Sequence, residues 1–292
     1  MRVARHAWGI TFPLFVAFVS PAKAGDAQLA KGCETNGAPT RIVSLVPSAT
    51  DLLLSLGEGH RLAARTTYDK DSSLARLPSV GGTIDPSVER LIAVRPDLVL
   101  IWGDSAAPGL RQRLRRSGLS VQVIHANTLA DMRSTIHCLG AILSIQARAD
   151  SLVRQIDAGL DSVRASNRER PRLKVFYLVW SRPLITTAGG TFIDSLIAVA
   201  GGQNIFSDLA APWPTVALES VIAREPDVIV WPRHRSDRPE TLADDPLWRA
   251  VRAARLGRVA IVDGNLMARP GPRVVAAARE LSRLIHEAKR SP

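Results

Sequence analysis

The strongest constraint on the fold of this chain is a unit that occurs twice. VERLIAVRPDLVLIW (Val88 to Trp102) and LESVIAREPDVIVW (Leu218 to Trp231) each read as a short helix led by a glutamate, then Pro-Asp, then a β-branched strand reaching a tryptophan. Glu89 and Glu219 stand 130 residues apart. Proline cannot continue a helical hydrogen-bond ladder, so it parts helix from strand in both copies. Between the copies lies SIQARADSLVRQIDAGLDSVRASN (Ser144 to Asn167). There Leu152, Ile156, Leu160 and Val163 recur at the helical period, while Arg154, Asp157, Asp161 and Arg164 take other faces. Pro171 is expected to end that helix. The chain therefore reads as two similar α/β lobes joined by one long helix, with lobes at 25–143 and 171–292 and the helix at 144–170.

With 292 residues there is length for two lobes that each bury a core. The N-terminus is a separate matter. Arg2 and Arg5 precede the apolar run GITFPLFVAFV, and Ala22-Lys23-Ala24 places small residues where a signal peptidase reads. Residues 1–24 are expected to be a signal peptide cut after Ala24, the apolar run being short of the ~20 residues a membrane span needs. Loss of Arg2, Arg5 and Lys23 would lower the net charge from +11 to +8. The remaining arginines are scattered through helices, as in RQRLRR, which fits a solvated basic surface and gives no case for nucleic acid. Cys33 and Cys138 would meet an oxidising compartment. They read either as a disulfide tying the N-terminal arm to a first-lobe helix, which is the expectation, or as two separate thiols with Cys138 in the core.

In order, RIVSL is a buried strand and SATDLLLSLG a helix with a serine cap and a glycine stop. RLAARTTY is a strand ending at Tyr68, and DKDSSLARLPSVGGTIDP a loop. DLVLIW ends at Trp102, and a helix from Ala107 to Ser117, the strand VQVIH and a helix from Leu129 to Leu143 complete the first lobe. The second lobe begins with LKVFYLVW, ending at Trp180. The helix TFIDSLIAVAGG, the loop containing Trp213, the strand RVAIVD, the segment NLMARPGPR and a terminal amphipathic helix follow. Alternating strands and helices make each lobe a Rossmann-like parallel sheet with helices on both faces.

Ligands of such sheets bind beyond the carboxyl ends of the strands, and often between domains. The residues expected there are Tyr68, Trp102, Trp180, Trp213 and the stretch Asn265–Arg269. In a chain only 5% aromatic, this concentration describes a cleft for a large, flat, partly apolar ligand. Trp231 and Trp248 read as structural. Nucleophile-elbow, zinc-protease, P-loop and dinucleotide-binding motifs are missing, and the six histidines lack metal-ligand spacing.

RIVSLVPSATDLLLSLG, VERLIAVRPDLVLIW, GGQNIF, APWPTVALESVIAREPDVIVW and RPGPRVVAAARELSRLI together resemble the helical-backbone (class III) periplasmic substrate-binding proteins of ABC importers. The likeness runs from about Arg41 to the C-terminus. APWPTVALESV and ARPGPRV are most similar to the branch that carries cobalamin. The resemblance implies a monomer without cofactor, metal or catalysis, which holds a corrinoid in the cleft and docks on permease subunits. Tyr68 matches a ligand-stacking tyrosine, Trp213 a second-lobe tryptophan on the ligand, Trp180 an aromatic at the cleft, and Arg269 an arginine before the last helix. Glu89 and Glu219 match two glutamates that meet permease arginines. Two positions depart from the pattern: Asn265 stands where the family has an acid, and no tryptophan stands near Thr83. A haem or ferric-siderophore carrier of the same fold stays open, with Arg269 and Arg182 as the obvious cleft cations. So do a metal receptor and, from another class, a secreted α/β enzyme.

Overall fold

A computed structural model describes Cys33, residues 37–103, 109–125 and 127–233, Leu242 and residues 245–290. The expected signal segment 1–24 lies outside them. The first sheet contains β1 (Ile42–Ser44), β2 (Leu62–Ala64), β3 (Leu98–Trp102) and β4 (Val121–Ile124), in the order β2-β1-β3-β4. The second contains β5 (Leu173–Tyr177), β8 (Gly202–Asn204), β9 (Val228–Arg233) and β10 (Val259–Asp263), in the order β8-β5-β9-β10. Both are parallel throughout. Counted within each lobe, the strand order is 2-1-3-4 in both. The repeat seen in sequence is therefore a repeat of topology. A hairpin of β6 (Trp180–Ser181) and β7 (Leu184–Ile185) is added to the second lobe.

The helices are α1 (Pro47–Ser55), α2 (Val88–Ala93), α3 (Leu110–Arg116), α4 (Leu129–Ile142), α5 (Gln146–Ser166), α6 (Phe192–Val199), α7 (Leu218–Arg224), α8 (Arg252–Arg255), α9 (Gly264–Met267) and α10 (Val274–Arg290). Among the described residues no helix is long and apolar enough to cross a membrane.

Side chains alternate between the faces of each sheet. Val175, Val228 and Val230 enter a core that runs on through α4, α5 and α10 to Ile42 and Leu53 of the first lobe. Phe176, Ile229 and Trp248 form a second cluster on the far face of the second sheet, and Val43, Leu91 and Leu114 a third on the far face of the first. Both α4 and α5 lie between the two sheets in sequence. On α5 the buried seam is Ala149, Val153, Ile156, Leu160 and Val163; Leu152, expected on it, is only half-buried at its edge. Two glycines let helices approach. A Cβ on Gly140 would lie 2.6 Å from the Ala149 methyl, and one on Gly159 would lie 2.7 Å from a Val275 methyl.

The helix ends before Pro171. Its stop is Asn167, a buried amide that donates to the Val163 carbonyl at 3.0 Å and accepts from the Ser282 hydroxyl at 3.0 Å. Ser48 is likewise no cap: it is buried inside α1, which begins with Pro47 after Val46. Gly57, at φ +79°, is the stop expected there. RLAARTTY is a strand only as far as Ala64, and LKVFYLVW only as far as Tyr177.

The Pro-Asp pairs explain how each unit is locked. Arg95 and Glu225, just before the prolines, both take left-handed backbone, at φ 43° and 49°, which turns the chain out of the helix. Asp97 then accepts from the Thr40 amide at 2.7 Å, the Thr40 hydroxyl at 2.8 Å and the Arg41 amide at 2.9 Å. Asp227 accepts from the Lys174 amide at 2.9 Å and the Lys289 ammonium at 2.5 Å. In both lobes the aspartate of the third strand thus pins the start of the first. The basic residue so pinned answers by donating to the end of the preceding helix: Arg41 to the Val94 carbonyl, Lys174 to that of Arg224. A buried carboxylate, Glu58, ties α1 to α5 by accepting from Arg148 at 2.6 Å and from Arg61. The disulfide is formed: Cys33 and Cys138, with Cα atoms 5.3 Å apart, tie the N-terminal arm to α4.

Hydrogen bonds from Thr40 hold Asp97 below the usual carboxylate range. Burial would raise Glu58 and Asp227, but the bonds from Arg61 and Arg148, and from Lys289 and the Lys174 amide, outweigh it and hold both low. A depressed carboxylate stabilises the fold fully above its unfolded pKa, about 4, and that contribution is lost as pH falls through the folded value. The double variant Asp97→Asn, Asp227→Asn is expected to melt lower at neutral pH. Its melting temperature should also fall less steeply than the parent's below about pH 4, as calorimetry across that range would read. Parallel acid profiles would show that these pins do not carry the linkage.

Candidate functional site

Strand order reverses between the first and third strands of each sheet, and such a switch point is where open α/β sheets bind ligands. In the first lobe, Pro47 and Ser48 follow β1 and Trp102 ends β3. All three line one cavity of about 660 Å³. Asn265, Ala268 and Arg269, which follow the last strand of the second sheet, line it too, so the cavity lies where the lobes meet.

Tyr68 enters this cavity from a turn. The buried Asp69 carboxylate accepts from the Thr66 amide at 2.7 Å and the Thr66 hydroxyl at 2.8 Å, and that hydroxyl accepts from the Tyr68 amide. A buried polar turn thus holds the backbone of an aromatic residue that is itself 55% exposed. Opposite in sequence character is Ile84, 65% exposed on the loop pinched by the Gly81–Pro86 bridge. It lines the cavity with Thr83, Asp85 and Leu110. Sequence reading missed Ile84; the signal was an isolated β-branched apolar residue inside a Gly-Gly-Thr-Ile-Asp-Pro turn.

Arg269 donates to the Tyr68 carbonyl at 2.6 Å and to Asp51 on α1 at 3.4 Å. Its guanidinium therefore holds the Tyr68 turn as well as facing the cavity. Burial raises the Asp51 carboxyl above its ordinary value, and the opposing charges of Arg269 and Arg273 do not cancel that rise. Asn265 is the second residue of α9, under the cap of Asp263, whose carboxylate accepts from the Asn265 amide at 2.8 Å.

Trp180 and Trp213 lie outside this cavity's lining. Trp180 belongs to the β6–β7 hairpin, its indole N–H donating to the Arg182 carbonyl, and Trp213 to a loop bonded along the same hairpin by the Ile185–Thr215 bridge. They are 62% and 51% exposed, both on the second lobe. Arg182 is paired with Asp245 at 3.0 Å. Trp248 is buried and Trp231 packs on the same cluster under Arg233, as expected of structural residues. Glu89 and Glu219 occupy matching exposed places in the first turns of α2 and α7. Among the described residues no group of three His, Cys, Asp or Glu side chains could hold a metal ion.

Loss of Arg269 should loosen the floor of the cavity. Arg269→Ala removes the donor to the Tyr68 carbonyl and strips Asp51 of its nearest positive charge. It is expected to destabilise the protein by about 1–3 kcal/mol, the range for leaving a half-buried partner unsatisfied. Urea melts would read this, and an unchanged midpoint would show the contact to be slack.

A family model described as periplasmic binding protein matches residues 42–266. The vitamin B12-binding protein of Vibrio parahaemolyticus is 28% identical over 257 residues, which cover 86% of this chain and 90% of that one. Among solved structures, the periplasmic vitamin B12 binding protein BtuF of Vibrio cholerae aligns with a TM-score of 0.71 at 24% identity, over 86% of this chain and 98% of its own. The periplasmic haem-binding protein RhuT from Roseiflexus aligns with a TM-score of 0.75 at 24% identity, over 87% of this chain and all of its own. These two structures are similar in fold.

Proposed function

The chain belongs to the periplasmic binding protein family, and on that premise we propose that it captures a corrinoid such as cobalamin and delivers it to the permease of an ABC importer. The observation that carries this reading is the set of large apolar side chains left in water: Tyr68 and Ile84 in the cavity where the lobes meet, and Trp180 and Trp213 on the second lobe. Exposed aromatic faces fixed by buried polar turns suit a broad ring system that covers them on binding. The vitamin B12-binding relatives support the same choice. In this reading Tyr68, Trp102, Asn265 and Arg269 contact the ligand from the cavity, and Trp180 and Trp213 close over it from the other lobe. Capture needs no chemistry, so none of these residues acts as a catalyst. The signal peptide is cut after Ala24, and the mature protein works in the periplasm as a monomer.

One observation favours a second reading. Tyr68 carries a phenol into the cavity, and tyrosinate is an iron ligand in some haem proteins. A spectrum separates the two. With cyanocobalamin, the melting temperature of the mature protein should rise by mass action. Tyr68→Ala and Trp102→Ala should each weaken binding at least several-fold, since a stacked face contributes roughly 0.5–1.5 kcal/mol beyond its buried area. A shift with haem and none with any corrinoid, accompanied by a tyrosinate–iron charge-transfer band that Tyr68→Phe abolishes, would establish the haem reading in its place.

Glu89 and Glu219 are proposed as the permease contacts, one per lobe. Charges at the rim of an interface govern specificity and on-rate and weaken as salt screens them. Glu89→Arg combined with Glu219→Arg is expected to abolish complex formation with the importer while leaving corrinoid affinity unchanged. Normal docking by that variant would return both residues to the plain role of acids at helix starts.

A further inference from the structure

A second concave site lies far along the chain from the cleft residues, at the amino-terminal end of the second sheet. Arg164, Arg168, Arg170 and Arg172 line a cavity of about 690 Å³ where α5 and α6 end. Asp161 is the one acid in that lining, and Arg164 is paired with it at 2.6 Å. Arg170 reaches the Asn167 amide oxygen only at 3.5 Å. Among the described residues, the side chains of Arg168 and Arg172 have no hydrogen-bond or ion-pair partner. Arginine in a last helical turn is ordinarily explained by the helix dipole. That accounts for Arg164, inside α5. It does not account for Arg170 and Arg172, which lie beyond the helix end.

The segment carrying them is held at both ends. Asn167 is locked into the core by the Val163 carbonyl and Ser282, and Leu173 opens β5. The arginines therefore converge on fixed backbone. Positive charge continues past Arg172, which also lines a neighbouring depression of about 300 Å³ with Lys174, Arg252 and Arg258. The acids there are Glu225 and Asp227, of which Asp227 is already taken by Lys289 and the Lys174 amide.

We propose that the larger cavity, of about 690 Å³, is a binding site for an anion bearing several linked or closely spaced phosphate groups, gripped by Arg168, Arg170 and Arg172. The planar guanidinium fork matches phosphate oxygens two at a time, and clustered arginines without carboxylate partners lose their mutual repulsion when such an anion binds. The ligand cleft opens at the carboxyl ends of the strands, so both sites can be filled together. Two sources share this chemistry: a soluble oligophosphate, and the phosphate headgroups of an anionic bilayer.

Calorimetric titration of the mature protein with tripolyphosphate, and flotation with phosphatidylglycerol vesicles, test the site at about 0.15 M salt. Tripolyphosphate is expected to bind, and Arg168→Glu with Arg172→Glu to weaken it by about tenfold or more, with cyanocobalamin binding unchanged. Vesicle binding that tripolyphosphate competes away and the same variant abolishes would identify the headgroup as the source; tripolyphosphate binding without vesicle binding would identify the soluble anion. Arg115→Glu with Arg116→Glu, equal in charge but on α3 of the first lobe, controls for net charge. An equal loss in that control, or no binding of either probe by the parent, would overturn the proposal.

Discussion

The apolar core that runs through α4, α5 and α10 from one sheet to the other is the feature on which the rest of the structure depends. Each parallel sheet must cover both faces, and each meets this demand on one face with a cluster of its own and on the other with the shared core. The meeting of the lobes is therefore a property of the interior, and the cavity beside it inherits a fixed floor. Gly140 and Gly159 set how closely the central helices approach. A side chain at either would push the helices apart and alter the cleft without touching it.

Much of this was legible in the chain. The repeat of Glu and Pro-Asp at 130 residues, with a tryptophan in each strand, located α2 with β3 and α7 with β9, and the strand orders of the two sheets agree with it. What the repeat hid was the reason for the aspartates, which act on residues more than fifty positions earlier and so leave no local signature. Strand ends were overrun for a related cause. Thr66, Thr67 and Tyr68 after β2, and Val179 and Trp180 after β5, are strand-forming residues, but Asp69 and the Thr186 hydroxyl capture the backbone first. Side chain competes with ladder there, and propensity does not see the competitor. Asn167 is the same lesson at a helix end: a buried amide stopped α5 where the proline four residues on drew attention.

The residues read as one aromatic cluster fall in two separate places. Tyr68, Trp102, Asn265 and Arg269 share a cavity, while Trp180 and Trp213 stand on a hairpin and loop of the second lobe. Strand-end reasoning groups residues by their place in each sheet, but it does not say which of them share a cavity, because that depends on how helices pack the two sheets together. Ile84 escaped for the opposite reason, standing twenty residues beyond β2 on a loop placed by the Gly81–Pro86 bridge.

Arg269 has a mechanical consequence. The chain leaves the first lobe through α4 and α5, and after the last strand of the second sheet it returns to touch the first lobe at Asp51 and the Tyr68 carbonyl. With the continuous core and the bond from the Phe192 amide to the Asn127 carbonyl at 2.7 Å, this makes a third tie between the lobes. Burial holds the lobes together through the interior, whereas Arg269 holds them at the lip of the cavity, so an anion or a change of ionic strength reaches this tie and not the other two.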